Sequence, residues 1–380
     1  MAGRKFHEYV VVHILVSNCL RYVIPEDVAG EELDPGLNKR LLYSYLRRTK
    51  SFIREHLAIC SLSLGWDPSH VLERKVAAIQ AAEFQGIEMS MADIELSYAK
   101  AHNLSRIEAA RAIRKLCAEH GIEIINLASF GKFEGQPTPL EERLKVAKEW
   151  LEVAKELGTT LIQVPSNDSK DAIGDEDLIV SDLRALADLG AQEDPPVSFA
   201  YEALCWATHV ADWEESSRIV QLVDRPNFGL CLDTYHVLSR LWADPREHSG
   251  LRAGGNSALR DSLQRFRDSC PKDKIMYIQL SDAERLSPPL LPGHPAYREE
   301  WDGPHSWCNY GRLFPLESDK GAYLPMEGIA RAWLGDSGWT GWVSMEILHR
   351  EMKEAEKGPE YWAQRGRQSW DNLKGVLQKN

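Results

Sequence analysis

The sequence predicts an α/β fold in which eight parallel strands, each followed by a helix, close into a (β/α)₈ barrel. From residue 57 onward, short apolar runs rich in Ile, Val and Leu alternate with longer amphipathic stretches. This alternation is typical of a parallel sheet with crossover helices. Eight such units in roughly 320 residues fit the usual size of the barrel. An open doubly wound sheet is the alternative, but no G-x-G-x-x-G motif follows the first strand, which disfavours dinucleotide binding.

Eight apolar runs have the length expected of buried strands. We predict strands at 57–64, 86–90, 122–129, 160–166, 197–204, 227–233, 274–282 and 341–348. The segment 106–121 carries apolar residues at three- and four-residue spacing and ends at Gly121, as a helix with a glycine C-cap does. The segment 139–158 repeats this pattern and ends at Gly158.

Two segments fall outside the regular βα units. Residues 1–56 precede the first predicted strand, and we expect them to form an N-terminal extension to a barrel at residues 57–380. The second segment, residues 283–340, separates the last two strands and is called the long connection below. In it only 326–335 looks helical, yet it contains several aromatic residues. A connection of this length is usually functional, so we expect a lid over the barrel mouth.

Composition excludes several classes of protein. The formal net charge of −12 argues against a nucleic-acid partner. The seven cysteines are far apart and form no C-x-x-C pair, so we expect neither a zinc ribbon nor a disulfide framework. We expect a reducing, cytoplasmic location instead. The apolar stretch 9–20 is too short to span a bilayer. We therefore expect a small-molecule substrate, no membrane or nucleic-acid partner, and leave a homo-oligomer open.

Polar side chains stand at the ends of the predicted strands, where the chemistry of such barrels is found. They are Glu88, Glu202, Asp233 with His236 behind it, Gln279 followed by Asp282, and Glu346. Each has a structural explanation when taken alone. Asp233 or Asp282 can cap the next helix, His236 can be a turn residue, and Gln279 can bond to nearby backbone.

Together, these residues favour a metal site. Three carboxylates and an amide on successive strands would converge on the barrel axis, where like charges repel and desolvation is costly. A divalent cation is the simplest compensation. Oxygen ligands favour Mg²⁺, Mn²⁺ or Co²⁺, with Zn²⁺ also open. In this interpretation Asp233 faces the metal, and His236 lies one helical turn further on.

Four motifs carry a family resemblance. "FAYEALCW", "RPNFGLCLDTYHVL", "YIQLSDA" and "SMEIL" resemble the xylose isomerase-like TIM barrel superfamily of sugar isomerases and epimerases. Within it, the chain is most similar to the 3-dehydroshikimate dehydratases of fungal quinate catabolism and their bacterial relatives. The resemblance covers about residues 57–375. Two departures are Tyr235 before the histidine of the D-x-x-H motif and Ala207 after Trp206.

The resemblance implies a site. The metal ligands would be Glu202, Asp233, Gln279 and Glu346, with glutamine at the position where many of the isomerases have histidine. His236 would be a candidate for proton transfer. "YGRLFP" is similar to a dehydratase loop whose arginine meets the substrate carboxylate, which nominates Arg312. Glu88 is expected to line the mouth and contact substrate.

The implied reaction converts 3-dehydroshikimate to protocatechuate and water through an enolate that the metal stabilises. His236 is the first candidate base, and a metal-bound carboxylate is the second. The alternative is a ketose or hydroxy-keto acid isomerase or epimerase that shuttles a proton between Glu202 and Glu346. An endonuclease IV-like phosphodiesterase would need more histidine ligands, and a barrel that has lost catalysis would lack ligands that are present here.

Overall fold

The computed structural model describes residues 9–11, 23–25 and 56–378. The chain divides into two compact units, Met1–Phe52 and Ile53–Asn380. In the first unit, strands β1 (Tyr9–Val11) and β2 (Val23–Pro25) pair antiparallel. Apart from His56, the other residues of the predicted extension lie outside the described part of the chain, and its boundary at residue 56 stays a prediction.

The second unit contains a closed barrel of eight parallel strands, which confirms the predicted fold class. In chain order the strands are β3 (Leu57–Cys60), β4 (Gly86–Ser90), β5 (Glu123–Ala128), β6 (Leu161–Pro165), β7 (Ser198–Glu202), β8 (Phe228–Asp233), β9 (Ile275–Leu280) and β12 (Val343–Met345). Each strand pairs with the next, and β12 closes the barrel between β9 and β3. The first and last strands are shorter than predicted because 3₁₀ and irregular backbone follow Cys60 and Met345.

Helices lie between the strands. They are α1 (Leu72–Ala81), α2 (Lys100–His102), α3 (Arg106–Glu119), α4 (Leu140–Leu157), α5 (Glu176–Gly190), α6 (Trp213–Val223), α7 (Thr234–Leu241), α8 (Gly255–Ser269), α9 (Gly303–Gly311), α10 (Met326–Ala330) and α11 (Pro359–Leu377). π-helical turns occupy Asp93–Ala99 and Arg331–Asp336, and short 3₁₀ turns occupy Ser61–Leu64, Lys272–Lys274, Ser318–Lys320 and Arg350–Lys353. Both helices predicted from periodicity are present, and Gly158 ends α4 with a φ of 81°.

The alternation of side chains along the strands decides what points into the barrel. On β8, Leu230 and Leu232 belong to the large apolar cluster outside the barrel wall, whereas Cys231 belongs to a small cluster inside it. Successive side chains of a strand point to opposite faces, so Asp233 points inward like Cys231. The same alternation on β7 places Glu202 inside the barrel.

The long connection is more ordered than the sequence indicates. Where it begins, β10 (Asp282–Ala283) pairs antiparallel with β11 (Arg312–Leu313), which lies near its middle. The expectation of a helix only near 326–335 was wrong, because α9 precedes β11. The side chain of Asp302 accepts the N–H of His305 and Pro304 lies in the first turn of α9, so local capping rather than apolar periodicity starts this helix.

Asp282 holds the long connection in place. Its Oδ1 accepts the backbone N–H groups of Ala283 (2.8 Å), Tyr323 (3.1 Å) and Leu324 (2.8 Å), and its Oδ2 accepts that of Leu316 (3.2 Å). The side chain is buried. One carboxylate therefore fixes the backbone on the C-terminal side of β11. The alternative that Asp282 caps the next helix is not what the structure shows.

We expect Asp282→Asn to lower the free energy of unfolding by about 1–3 kcal/mol, because the new NH₂ group would face the N–H of Leu316 and leave a buried donor unpaired. Urea denaturation measures this change, and hydrogen exchange at Leu316, Tyr323 and Leu324 should accelerate. Asp319→Asn is the control, since the side chain of Asp319 is 76% exposed in the same connection. Equal stability and exchange in the two variants would contradict the anchoring role.

Candidate active site

The four predicted metal ligands lie at the carboxyl ends of four neighbouring strands. Glu202 and Asp233 are the last residues of β7 and β8, and Gln279 lies opposite Asp233 on β9. Glu346 follows β12 directly. The side chains of Glu202, Asp233 and Gln279 are buried, and that of Glu346 is 17% exposed. The barrel thus brings together the residues that the sequence nominated.

Arg312 bridges two of these residues. Its guanidinium donates to Asp233 Oδ2 at 2.6 Å and to Glu346 Oε2 at 3.0 Å. It also donates twice to Ser281 Oγ and lies over the ring of Tyr235, 4.9 Å from the ring centre. Arg312 is only 1% exposed, so a buried positive charge accompanies the buried carboxylates.

Gln163 bridges the other two. Its Nε2 donates to Glu202 Oε2 at 2.8 Å and to Gln279 Oε1 at 3.4 Å. Sequence reasoning missed this residue, although a glutamine in the middle of the apolar run "TLIQVPS" is a signal that could have identified it. Gln163 supplies polar hydrogen atoms to two oxygen ligands inside the barrel.

His236 lies between the two pairs. Its Nε2 is 3.4 Å from Glu202 Oε1 and 3.7 Å from Asp233 Oδ2. The backbone N–H of Cys205 donates to its Nδ1 at 3.1 Å. Because Nδ1 accepts this bond, the neutral ring carries its proton on Nε2. Burial lowers the pKa of His236 to about 4, which keeps the ring neutral near pH 7.

Asp233 has two roles at once. Its Oδ1 accepts the backbone N–H of Tyr235 at 2.7 Å, which caps α7, and its Oδ2 accepts from Arg312. The structural and functional explanations of this aspartate are therefore compatible. The cap also fixes the direction of the side chain at the end of β8.

Burial and mutual repulsion dominate the electrostatics of the carboxylates. Burial, together with the negative charges of Glu346 and Asp233, raises the pKa of Glu202 well above its usual range. Burial raises the pKa of Glu346 to about 8, although the charge of Arg312 opposes that rise. Carboxyl groups in this state are stabilised as anions by a nearby cation.

The oxygen atoms that these side chains offer as ligands fit a hard divalent cation. Potential ligand atoms of Glu202, Asp233 and His236 lie within 4.8 Å of one another. Since Nδ1 of His236 accepts from Cys205 and Nε2 carries the proton, the carboxylates rather than this imidazole would bind the cation. Glu202 Oε1 is buried and has no hydrogen-bond partner, and such an atom is expected to be satisfied by a ligand or water. Carboxylate and amide oxygens are ligands that Mg²⁺, Mn²⁺ and Co²⁺ accept.

Glu88 differs from its expected position. It is the third residue of β4 rather than a residue at the mouth, and it is fully buried. Asn126 Nδ2 donates to its Oε2 at 2.9 Å, and Gln279 Nε2 lies 3.2 Å from both of its oxygens. Because period-two alternation turns Glu88 into the barrel, it contacts side chains of other strands and is shielded from solvent.

An aromatic stack joins the long connection to the site. The imidazole of His305 lies between the indoles of Trp206 and Trp301, with ring centres 4.4 and 4.2 Å apart and interplanar angles of 3° and 9°. The edge of Trp206 in turn packs against His236, with ring centres 4.8 Å apart. The hydroxyl of Tyr235 donates to the carbonyl of Pro304 at 2.6 Å. Helix α9 therefore contacts the loop that follows β7 and the helix α7 that follows β8, at the same end of the barrel as the carboxylates.

A family model for the xylose isomerase-like TIM barrel matches residues 76–373. A 3-dehydroshikimate dehydratase of Neurospora crassa is 42% identical over 336 residues, which cover 83% of this chain and 93% of that protein. A protein of the same name from Pseudomonas putida is 32% identical over 288 residues, which cover 76% of this chain and 38% of that protein. This chain therefore spans well under half of the bacterial relative.

Solved structures show the same fold. A fusion of a xylose isomerase-like TIM barrel with a 4-hydroxyphenylpyruvate dioxygenase superposes with a TM-score of 0.65 at 30% identity, over 84% of this chain and 42% of that one. A crystal structure of the IolI protein with a bound zinc atom superposes with a TM-score of 0.63 at 16% identity, over 86% and 100% of the two chains. The second likeness concerns the fold alone.

None of the described helices is long and apolar enough to cross a membrane.

Proposed function

The chain belongs to the xylose isomerase-like TIM barrel family, and on that premise we propose that it is a metal-dependent 3-dehydroshikimate dehydratase. The observation that carries the proposal is the joining of Asp233 and Glu346 by the buried Arg312 at the carboxyl end of the barrel. This arrangement supplies both a set of oxygen ligands and a cation suited to an anionic substrate. The 42% identity to the Neurospora crassa enzyme, over most of both chains, supports the same substrate.

The reaction removes one molecule of water from a ring that carries a ketone and a carboxylate. A proton leaves the carbon next to the ketone, and a hydroxyl group leaves the carbon after it. The electrons of the broken C–H bond form the new C=C bond. The ring becomes the aromatic protocatechuate when a second proton moves from its CH₂ carbon to the ketone oxygen. A divalent cation held by Glu202, Asp233, Gln279 and Glu346 would stabilise the negative charge that develops on the ketone oxygen.

Glu346 is our candidate for the base. Its side chain is 17% exposed, whereas that of Glu202 is 4% exposed, so Glu346 is the more accessible to a substrate. The carboxylate takes the proton from carbon and returns it to the departing hydroxyl, which leaves as water. This role corresponds to the second of the two bases that the sequence suggested.

His236 is assigned a different part of the proton chemistry. Its Nδ1 is engaged by the N–H of Cys205, so the neutral ring cannot accept a further proton at Nε2. The Nε2 proton can instead form a hydrogen bond to the departing oxygen and to Glu202. We therefore propose His236 as the donor that orients the leaving hydroxyl.

Arg312 is proposed to bind the substrate carboxylate. Its N–H groups are directed to Asp233, Glu346, Ser281 and Cys308. Pairing with a substrate carboxylate therefore requires it to exchange at least one of these partners. A guanidinium that meets a carboxylate with two parallel hydrogen bonds would favour an acidic ring over an uncharged sugar.

The cellular location that we propose is the cytoplasm. The six cysteines in the described part of the chain are free and buried, as expected in a reducing compartment.

We expect the purified protein to convert 3-dehydroshikimate to protocatechuate only when Mg²⁺, Mn²⁺ or Co²⁺ is present. The ultraviolet absorbance of protocatechuate measures this turnover. Chelation should abolish turnover and added metal should restore it. Glu346→Gln should lower kcat by at least about 100-fold, because it removes the base and a ligand oxygen. Glu351→Gln is the control, since that partly exposed glutamate lies in the 3₁₀ turn after β12 and pairs with Lys357.

Absence of product with every metal, from protein that binds one, would refute the dehydratase. The next substrates to test would then be ketoses and hydroxy-keto acids, because an isomerase would use the same carboxylates.

We expect Arg312→Lys to raise KM for 3-dehydroshikimate by about 10–100-fold, because an ammonium group loses the paired hydrogen bonds of a guanidinium. Steady-state kinetics with saturating metal measure this effect. Arg246→Lys, which alters an Arg–Asp pair away from the four ligands, should leave KM unchanged. An unchanged KM in Arg312→Lys would show that the substrate carboxylate binds elsewhere.

A further inference from the structure

Glu88 is a buried carboxylate to which the proposed reaction gives no role. It is fully buried, and its neighbours across the sheet are Cys60 on β3 and Asn126 on β5. Burying a carboxylate is costly unless hydrogen bonds compensate. The chain supplies these bonds from side chains, with Asn126 Nδ2 donating to Oε2 and Gln279 Nε2 donating to both oxygens.

The contact with Gln279 fixes the direction of its amide. The group that Gln279 turns toward Glu88 is its NH₂, since Nε2 lies 3.2 Å from both carboxyl oxygens, which can accept hydrogen bonds from it. The NH₂ and the oxygen of an amide are attached to the same carbon, and placing one also places the other. Glu88 thus decides which way the amide of Gln279 faces.

The oxygen of Gln279 consequently lies on the side of the ligand set. Gln279 Oε1 accepts from Cys231 Sγ at 3.1 Å and from Gln163 Nε2 at 3.4 Å. Gln163 Nε2 also donates to Glu202 Oε2, so the Gln279 oxygen and the Glu202 oxygen share one donor. A hard cation binds an amide through its oxygen, whereas a turned amide would present an NH₂ group and repel the cation.

We propose that Glu88 is a positioning residue that holds the amide of Gln279 with its oxygen toward the metal ligands Glu202, Asp233 and Glu346. The inference rests on the proposed metal site. It concerns metal affinity, which is measured without substrate.

The test is calorimetric titration of the whole chain with Mn²⁺. In Glu88→Gln the new side chain can either donate to or accept from Gln279, so only the contacts of Gln279 Oε1 with Cys231 Sγ and Gln163 Nε2 still favour one direction of the amide. We expect the affinity for Mn²⁺ to fall by about 10–100-fold, the range typical when an orienting partner of a metal ligand is removed. Glu88→Gln with the Mn²⁺ affinity of the unmodified chain would overturn the inference.

Glu134→Gln is the matched control. Glu134 is also a buried glutamate, and it accepts from the hydroxyl of Tyr201 (2.8 Å) and the backbone N–H of Asn167 (2.7 Å). It has no hydrogen bond to any of the four proposed ligands in the part of the chain that the structure describes. We expect the loss of this charge to leave the affinity for Mn²⁺ unchanged. An equal loss of Mn²⁺ affinity in both variants would overturn the inference by showing a general effect of destabilisation.

Repeating the Glu88→Gln substitution in a Gln279→Glu variant separates an effect on the direction of the amide from an effect on packing. The two oxygens of a carboxylate are equivalent, so a glutamate at position 279 needs no partner to choose its direction. We therefore expect Glu88→Gln to cost no Mn²⁺ affinity when Gln279→Glu is already present. A 10-fold or larger loss in that background would overturn the inference, and this comparison also serves if Glu88→Gln alone folds poorly.

The outcome is distinguishable from failure of the proposed function. Turnover of 3-dehydroshikimate decides the reaction and does not enter the comparison of affinities. An unmodified chain that binds Mn²⁺ while Glu88→Gln binds it equally well would remove this inference and leave the dehydratase intact.

Discussion

The structure depends on how negative charge is accommodated inside the barrel. Three carboxylates from β7, β8 and the end of β12 lie together, and burial raises the pKa of Glu202 and Glu346. Such an arrangement is stable only with positive charge nearby. Arg312 supplies part of that charge by bridging Asp233 and Glu346. The long connection positions this guanidinium. Asp282 anchors the backbone after β11, and the ribbon of β10 and β11 holds Arg312 beside β9.

Rigid and loop-borne parts of the site have different tasks. Glu202, Asp233 and Gln279 stand on barrel strands, whose register fixes their separation. Arg312, His305 and Trp301 come from the long connection, which meets the barrel through the Trp206 stack. A site on strands suits a cation with defined ligand positions. A guanidinium on a connecting segment suits a group that must exchange protein carboxylates for a substrate carboxylate.

Local patterns in the sequence were sufficient to predict the barrel and to nominate four polar residues that the barrel brings together, whereas their role as metal ligands stays a proposal. Apolar runs located all eight strands, and charged residues at strand ends identified Glu202, Asp233 and Glu346 because an apolar strand has no packing reason to carry them. The contacts of Glu88 were not predictable in this way. Its bonds to Gln279 join residues 191 positions apart, and only closure of the barrel brings them together. Helix α9 was missed because a cap and a proline start it, with little apolar periodicity.

We propose that a divalent cation completes the charge balance of this site. Anomalous diffraction from crystals grown with Mn²⁺ tests it most directly. We expect one strong anomalous peak per chain at the carboxyl end of the barrel, within bonding distance of Glu202, Asp233, Gln279 and Glu346. A peak elsewhere, or no peak at these residues in crystals of protein that is active with Mn²⁺, would contradict it.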